Sequence, residues 1–325
     1  MPDSPTRIIV AVTAKNEAAA IGSCLRSLLA SVREAEVRLP LAFRVVVILD
    51  DCTDATGEIA RSFGVETKVS TGGLVEAQRL VARERPFVVF SDADILIGKT
   101  ALTAICRAML ENEALQVAYP RKTPLCPSRR SLLAEALYCF NRVNGFQDAR
   151  RYFNGKLFAI RDWQMPTLAE LQPRLARLSP DGFYDFHAGM RIDDIYLSRD
   201  ILLRHGREAV HEATDGEIFF RPPETFAGMY HTYRRMRLEI ERLNILFPES
   251  VPAHQARRFQ RDAERRAPLR DRLLWRWFRV WLGVCIVRYY LEKVYYRRLA
   301  AQPCPAWPAI HETKGALCPD IAPPE

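Results

Sequence analysis

Asp92 and Asp94 stand one residue apart, just after the apolar run Phe87-Val88-Val89-Phe90 comes to an end. The run reads as a buried strand. Side-chain alternation beyond its end points both carboxylates the same way at the strand's carboxyl edge. Ligands bind at such edges in open α/β sheets. A hard cation such as Mg2+ or Mn2+ takes oxygen ligands, and a site with few protein carboxylates leaves room for a substrate's phosphates to complete the shell. Two solvated aspartates beginning a loop are the other reading, so the remaining elements have to decide. A second pair of acids, Asp193-Asp194, opens a segment with helical pattern; there the simplest role is to complement the helix dipole.

The elements that must position these acids alternate. Strand patterns at Ile8–Val12, Phe43–Leu49 and Phe87–Phe90 are separated by helical patterns at Ala18–Val32, Asp54–Phe63 and Gly73–Arg83. Ile21, Leu25, Leu28 and Leu29 form one apolar stripe on the first of these helices, and Ile59 and Phe63 lie a turn apart on the second. Strands alternating with helices predict an α/β fold with a mainly parallel sheet flanked by helices. A helix at Lys99–Glu111 and a strand at Leu115–Tyr119 follow. From Pro120 to Arg191 the pattern is irregular, apart from Phe153-Asn154-Gly155-Lys156 turning into a strand that ends at Ile160. A helix from Arg191 stops near His205-Gly206. Short strand-like pieces at Ala209–Glu212 and Glu217–Phe220 precede a long arginine-rich helix at Phe226–Leu246.

The chain has 325 residues, 48% hydrophobic and 26% charged, which suits a globular protein with a sizeable core. Its net charge of +8 calls for an anionic partner. Eight cysteines are scattered with no C-x-x-C pair and no paired histidine spacing, which argues against a zinc site or disulfide framework. The start, Met1 to Arg7, runs straight into a strand pattern, so no secretion signal is expected and the compartment reads as cytoplasm, with the inner membrane face as a further address. Cys52 reads as a small buried residue. His211 and His231 are lone histidines, read as structural before they are read as ligands.

Ala14-Lys15-Asn16-Glu17, Asp50-Asp51-Cys52-Thr53-Asp54-Ala55-Thr56, Asp92-Ala93-Asp94 and Arg191-Ile192-Asp193-Asp194 occur in this order. The set resembles the family 2 glycosyltransferases of GT-A fold, over roughly residues 7 to 245. The resemblance implies a metal-dependent, inverting enzyme that uses Mn2+ or Mg2+ to transfer one sugar from a nucleotide-sugar donor, uridine-linked, to an acceptor hydroxyl. It implies donor contacts from Ala14, Asn16, Glu17, Asp50, Gly73, Gln78, Asp92, Ala93, Arg234, Arg235 and Arg237. Asp50 would accept from a uracil nitrogen, Asp94 with Asp92 would hold the metal, Asp194 would be the general base and Asp193 the acid preceding it. Gly72-Gly73 and Gln78-Arg79 depart from the family's usual loop after the third strand, and Tyr233-Arg234-Arg235-Met236-Arg237 departs from the Gln-x-x-Arg-Trp of processive synthases. Local readings compete at several positions: Asp54 and Thr56 as helix caps, Asn16 as a cap or pocket residue, and Trp163, Phe183, Tyr184 and Phe186 as acceptor-stacking rings or local core.

The expected organisation is a catalytic unit over 1–246, with a nucleotide-binding half at 7–119 and an acceptor half at 120–246. A helical extension follows at 247–300, and then a proline-rich tail at 301–325. Residues 271–298 interleave tryptophan, tyrosine and aliphatic residues with arginine, which suits either a helix at a membrane surface, where a lipid-linked acceptor would be met, or a helix pair closing the catalytic unit. A saccharide or small molecule is the other acceptor class. No helix-turn-helix, RNP or zinc motif supports nucleic-acid binding. The other functions weighed are a sugar nucleotidyltransferase, which needs a glycine-rich basic loop that Thr13–Glu17 does not supply, and a non-catalytic anion-binding protein.

Overall fold

A computed structural model describes residues 5–83, 86–143, 153–175, 190, 193–252 and 268–300. Phe183, Tyr184, Phe186 and the proline-rich tail lie outside these residues. The described elements are β1 (Thr6–Ala14), α1 (Ile21–Arg38), β2 (Leu41–Asp50), α2 (Thr56–Ser62), β3 (Glu66–Ser70), α3 (Leu74–Arg79), β4 (Val88–Asp92), β5 (Ile95–Ile97), α4 (Ala101–Glu111), β6 (Val117–Pro124), α5 (Leu132–Val143), β7 (Leu157–Ile160), α6 (Leu168–Leu175), α7 (Asp193–His205), β8 (Val210–Phe220), α8 (Phe226–Leu246) and α9 (Leu269–Val294).

One eight-stranded sheet runs in the order β3-β2-β1-β4-β7-β6-β8-β5. The pairs β1/β2, β1/β4 and β2/β3 are parallel, as the alternation of strands and helices requires. β7 then enters antiparallel to both β4 and β6, and β8 pairs parallel with β6 but antiparallel with β5. The architecture is the expected α/β one, with its parallel half built by residues 6–92.

Successive residues of β1 face opposite sides of the sheet, and both sides are covered. Ile8, Val10 and Val12 pack with Leu25 and Leu28 of α1 and Ile105 of α4. On the other face, Ile9, Ala11, Phe90 and Phe158 pack with Val75 of α3, Ile195 and Ile201 of α7 and Leu243 and Leu246 of α8. Burial on both faces explains why these strands read as continuous apolar runs. A third core joins α5, the first half of α8 and one side of α9 through Leu137, Tyr230, Leu238, Phe278 and Tyr289. So α8 serves two cores, and α9 closes on the rest of the molecule along one side. No described helix is long and apolar enough to cross a membrane.

Candidate active site

The carboxyl ends of β2, β1 and β4 lie side by side, with β1 between the other two. The chain leaves β1 toward β2 and β3 and returns to β4 on the opposite side, which opens a crevice over the end of β1. Asp50 ends β2 and Asp92 ends β4.

The Lys156 ammonium lies between the two acids of the Asp-x-Asp segment, 3.2 Å from Asp92 Oδ2 and 3.1 Å from Asp94 Oδ1. Sheet register puts it there: β7 pairs antiparallel with β4, Leu157 opposite Ser91, and the Asp92 N–H donates to the Lys156 carbonyl at 2.8 Å. Burial pushes the Asp92 carboxyl up to about 6, with Lys156 pulling it down and Asp94 pushing it up. Burial works against the Lys156 charge, yet the two aspartates outweigh it and hold the ammonium above its usual range. Ala93, between the two acids, is core.

Asp193 and Asp194 open α7. Asp193 is buried and accepts a hydrogen bond from Gln78 Nε2; Gln78 Oε1 accepts from Trp163 Nε1 at 3.1 Å. Trp163 is therefore part of the core that orients Asp193. Asp193 Oδ1 accepts the Asp194 N–H at 2.8 Å. Burial, then the charge of Asp194, pushes Asp193 up to about 7. Asp194 is raised by burial and pulled back by the Ile195 and Gly155 amides and by the charges of Lys122 and Arg235. Gly155 lies under Asp194 so closely that a Cβ there would come within 2.8 Å of the Asp194 Cβ.

α3 links this cluster to Asp50. At its start Gly73, at φ +85° where glycine is favoured, donates its N–H to Asp50 Oδ1 at 2.8 Å; near its end Gln78 holds Asp193. Lys15 Nζ reaches Asp50 Oδ2 at 3.2 Å. Contacts thus run unbroken from Asp50 through α3 to Asp193 and Asp194, then through Gly155 and Lys156 to Asp92 and Asp94.

The loops after β1 and β2 are tied together. Asn16, at φ +54°, accepts from the Thr53 N–H at 2.8 Å, so it braces the neighbouring loop and does not cap α1. The Glu17 N–H donates to Thr56 Oγ1 at 2.8 Å, and Asp54 accepts from the Ala18 and Thr56 amides, both at 3.0 Å. Ala14 O accepts from Cys52 Sγ at 3.3 Å. Asp54 and Thr56 therefore fasten the start of α2 to the β1 loop, a cap spread over two segments.

Three arginines were expected at the site, and the structure separates them. Arg235 acts electrostatically on both Asp92 and Asp194. Arg234 is buried on another side of α8 and pairs with Glu292 of α9 at 2.7 Å, and Arg237 pairs with Glu241 at 3.1 Å. Neighbours in a helix point about 100° apart, so one helix cannot aim Arg234 and Arg235 into the same crevice. Gln78 likewise spends its amide on Asp193 and Trp163. Lys156, Gly155 and Lys122 were missed, because their roles depend on partners far away in sequence. The Asn154-Gly155 turn signal marked the segment but not what it meets. Among the described residues no group of three or more His, Cys, Asp or Glu could hold a metal.

Residues 9–165 match the family model described as glycosyl transferase family 2. No curated protein sequence matches the chain. Among solved structures, glucosyl-3-phosphoglycerate synthase from Mycobacterium tuberculosis, in complex with Mn2+, UDP-glucose and phosphoglyceric acid, is 18% identical, with 74% of this chain and 80% of that chain covered at a TM-score of 0.46. Mannosyl-3-phosphoglycerate synthase from Rubrobacter xylanophilus is 18% identical, with 78% and 77% covered at 0.47. Over residues 9–165, just under half of its length, the chain is thus similar to glycosyl transferase family 2.

Proposed function

We propose that the chain is a metal-dependent, inverting transferase that moves a single sugar from a uridine diphosphate sugar to an acceptor hydroxyl. The observation that carries this reading is the gathering of Asp50, Asp92, Asp94 and Asp194 along one run of contacts, with a cation already held between Asp92 and Asp94.

The residues fit a divalent cation. Asp92 and Asp94 offer oxygen atoms to one positive centre, and Lys156 stands where that centre would be. Two protein carboxylates are enough when the donor's phosphates complete the shell. When bound, the cation supplies a Lewis acid that withdraws charge from the departing diphosphate. Asp50, fixed by Gly73 and Lys15, is assigned to the uracil N–H.

Asp194 takes the proton of the acceptor hydroxyl as its oxygen bonds to the anomeric carbon, while the bond from that carbon to the diphosphate breaks. Burial favours this step, because a carboxylate raised from its usual range is the stronger base. Arg235 and Lys122 keep Asp194 ionised before the proton arrives. One carboxylate in this position accounts for a direct inversion. Asp193 positions Asp194 through the backbone bond described above.

The test is titration with uridine, guanosine and thymidine diphosphates, with and without Mn2+, followed by turnover of the matching sugar donors. Uridine diphosphate with Mn2+ should bind tightest. Asp194→Asn should lower turnover by about 10²–10⁴-fold while leaving that binding intact. Unchanged turnover in the variant, or no Mn2+-dependent nucleotide binding, overturns the proposal.

A further inference from the structure

The side of α9 turned away from the third core carries a second apolar surface. Leu273, Trp277, Val280, Val284, Val287, Leu291 and Val294 follow one another at alternating intervals of four and three residues, each between 43% and 66% exposed. That spacing draws a single line along the helix. At roughly 100 Å² apiece, the line exposes about 700 Å², above the ~300–600 Å² of the largest patch on an ordinary monomer. The surface therefore calls for an occupant.

Charge chooses it. Arg270, Arg272, Arg276, Arg279 and Arg288 are carried on the same helix, Arg270 paired with Glu135 at 2.8 Å. The two acids of α9 are paired with other elements: Asp271 binds Arg142, and Glu292 binds Arg234 and Tyr230. Arg288 rests its guanidinium over the Tyr230 ring, 4.1 Å from the centroid. Helices that pair with their own copies set acids against bases beside the seam. Two copies of α9 would set arginine against arginine.

We propose that this side of α9 docks on an anionic phospholipid bilayer, lying flat with the apolar line at the boundary between headgroups and acyl chains. Exposed Trp277, Tyr290 and Tyr295 are the residue types that settle at that depth. The arginines meet lipid phosphates at the rim. The line forms one wall of a groove of about 1100 Å³, lined by Val280, Val284 and Val287 with Arg288, His231 and Glu292, which takes an acyl chain with its phosphate beside Arg288. α9 is not apolar enough to insert across the membrane, so it lies along the surface.

Co-sedimentation of the full chain with phosphatidylcholine vesicles, with and without phosphatidylglycerol, tests this. Binding should need phosphatidylglycerol and weaken as salt rises. The pair Val284→Glu and Val287→Glu, and separately the pair Arg276→Glu and Arg279→Glu, should each lower vesicle binding at least about tenfold. Uridine diphosphate binding and the circular dichroism spectrum should stay unchanged, which separates this result from misfolding and from failure of the proposed transfer chemistry. Equal binding to both vesicle types, or no binding at all, overturns the proposal. So does a dimer in sedimentation velocity that the valine variants split, since the line would then be a seam between copies.

Discussion

Lys156 is the residue that separates this site from a bare pair of aspartates. Its ammonium lies between Asp92 and Asp94, where the proposed divalent cation would sit, so loading would exchange one positive charge for another at that point. Lys156→Met should therefore raise the affinity of the nucleotide-free protein for Mn2+ on the order of tenfold, read from the electron paramagnetic resonance signal of free Mn2+. A loss of affinity would mean that Lys156 helps to build the cation site. Gly155→Ala tests the neighbouring position. The added Cβ collides with Asp194 and should cut turnover by at least about tenfold, with the stability of the fold little changed, because a displacement of about 1 Å at a reacting group is costly. Asp92, Asp94, Asp193 and Asp194 could be found in the sequence because each stands at the end or start of a strongly patterned element. Lys156 could not, since nothing local marks a lysine whose partners are more than sixty positions away.

Among the elements, the parallel half was legible because its strands are buried on both faces and its helices each present one apolar stripe. β3 escaped because Glu66-Thr67-Lys68-Val69-Ser70 is an edge strand with polar residues along it, paired on one side by β2. β5 has three residues, too few for any period to show. α5 fell inside a stretch where prolines masked the helical repeat. The two strand-like pieces after His205 proved to be one strand, β8, whose Asp215-Gly216 interruption is absorbed by a register shift at Pro120/Arg121 of β6. The helix Phe226–Leu246 was read with its observed bounds, and its start has a local cause: Thr225 accepts the Gly228 N–H at 3.1 Å. Thr225→Ala should lower unfolding stability by about 1 kcal/mol, seen as a lower urea midpoint with unchanged slope.

At the scale of the whole molecule, the crevice is a site of electrostatic strain. Asp92, Asp193 and Asp194 are all raised, chiefly by burial, so the folded chain binds protons there more tightly than the unfolded chain does. The sign is that of a raised acid: these groups stabilise the fold less as pH climbs from the unfolded carboxylate value near 4 toward about 7, and the loss levels off above it. Asp193→Asn removes one such group. The stability of the variant relative to the native chain should therefore improve between pH 5 and pH 8, measured by urea unfolding at both values. A difference that stays constant with pH would show that Asp193 titrates no differently in the folded state.

The turn at 154–156 supplies the cation that quiets one acid pair through Lys156 and the floor beneath another acid through Gly155. On the proposed reading, cation loading and proton transfer would both depend on this one turn. A substitution there would be felt at both acid pairs at once.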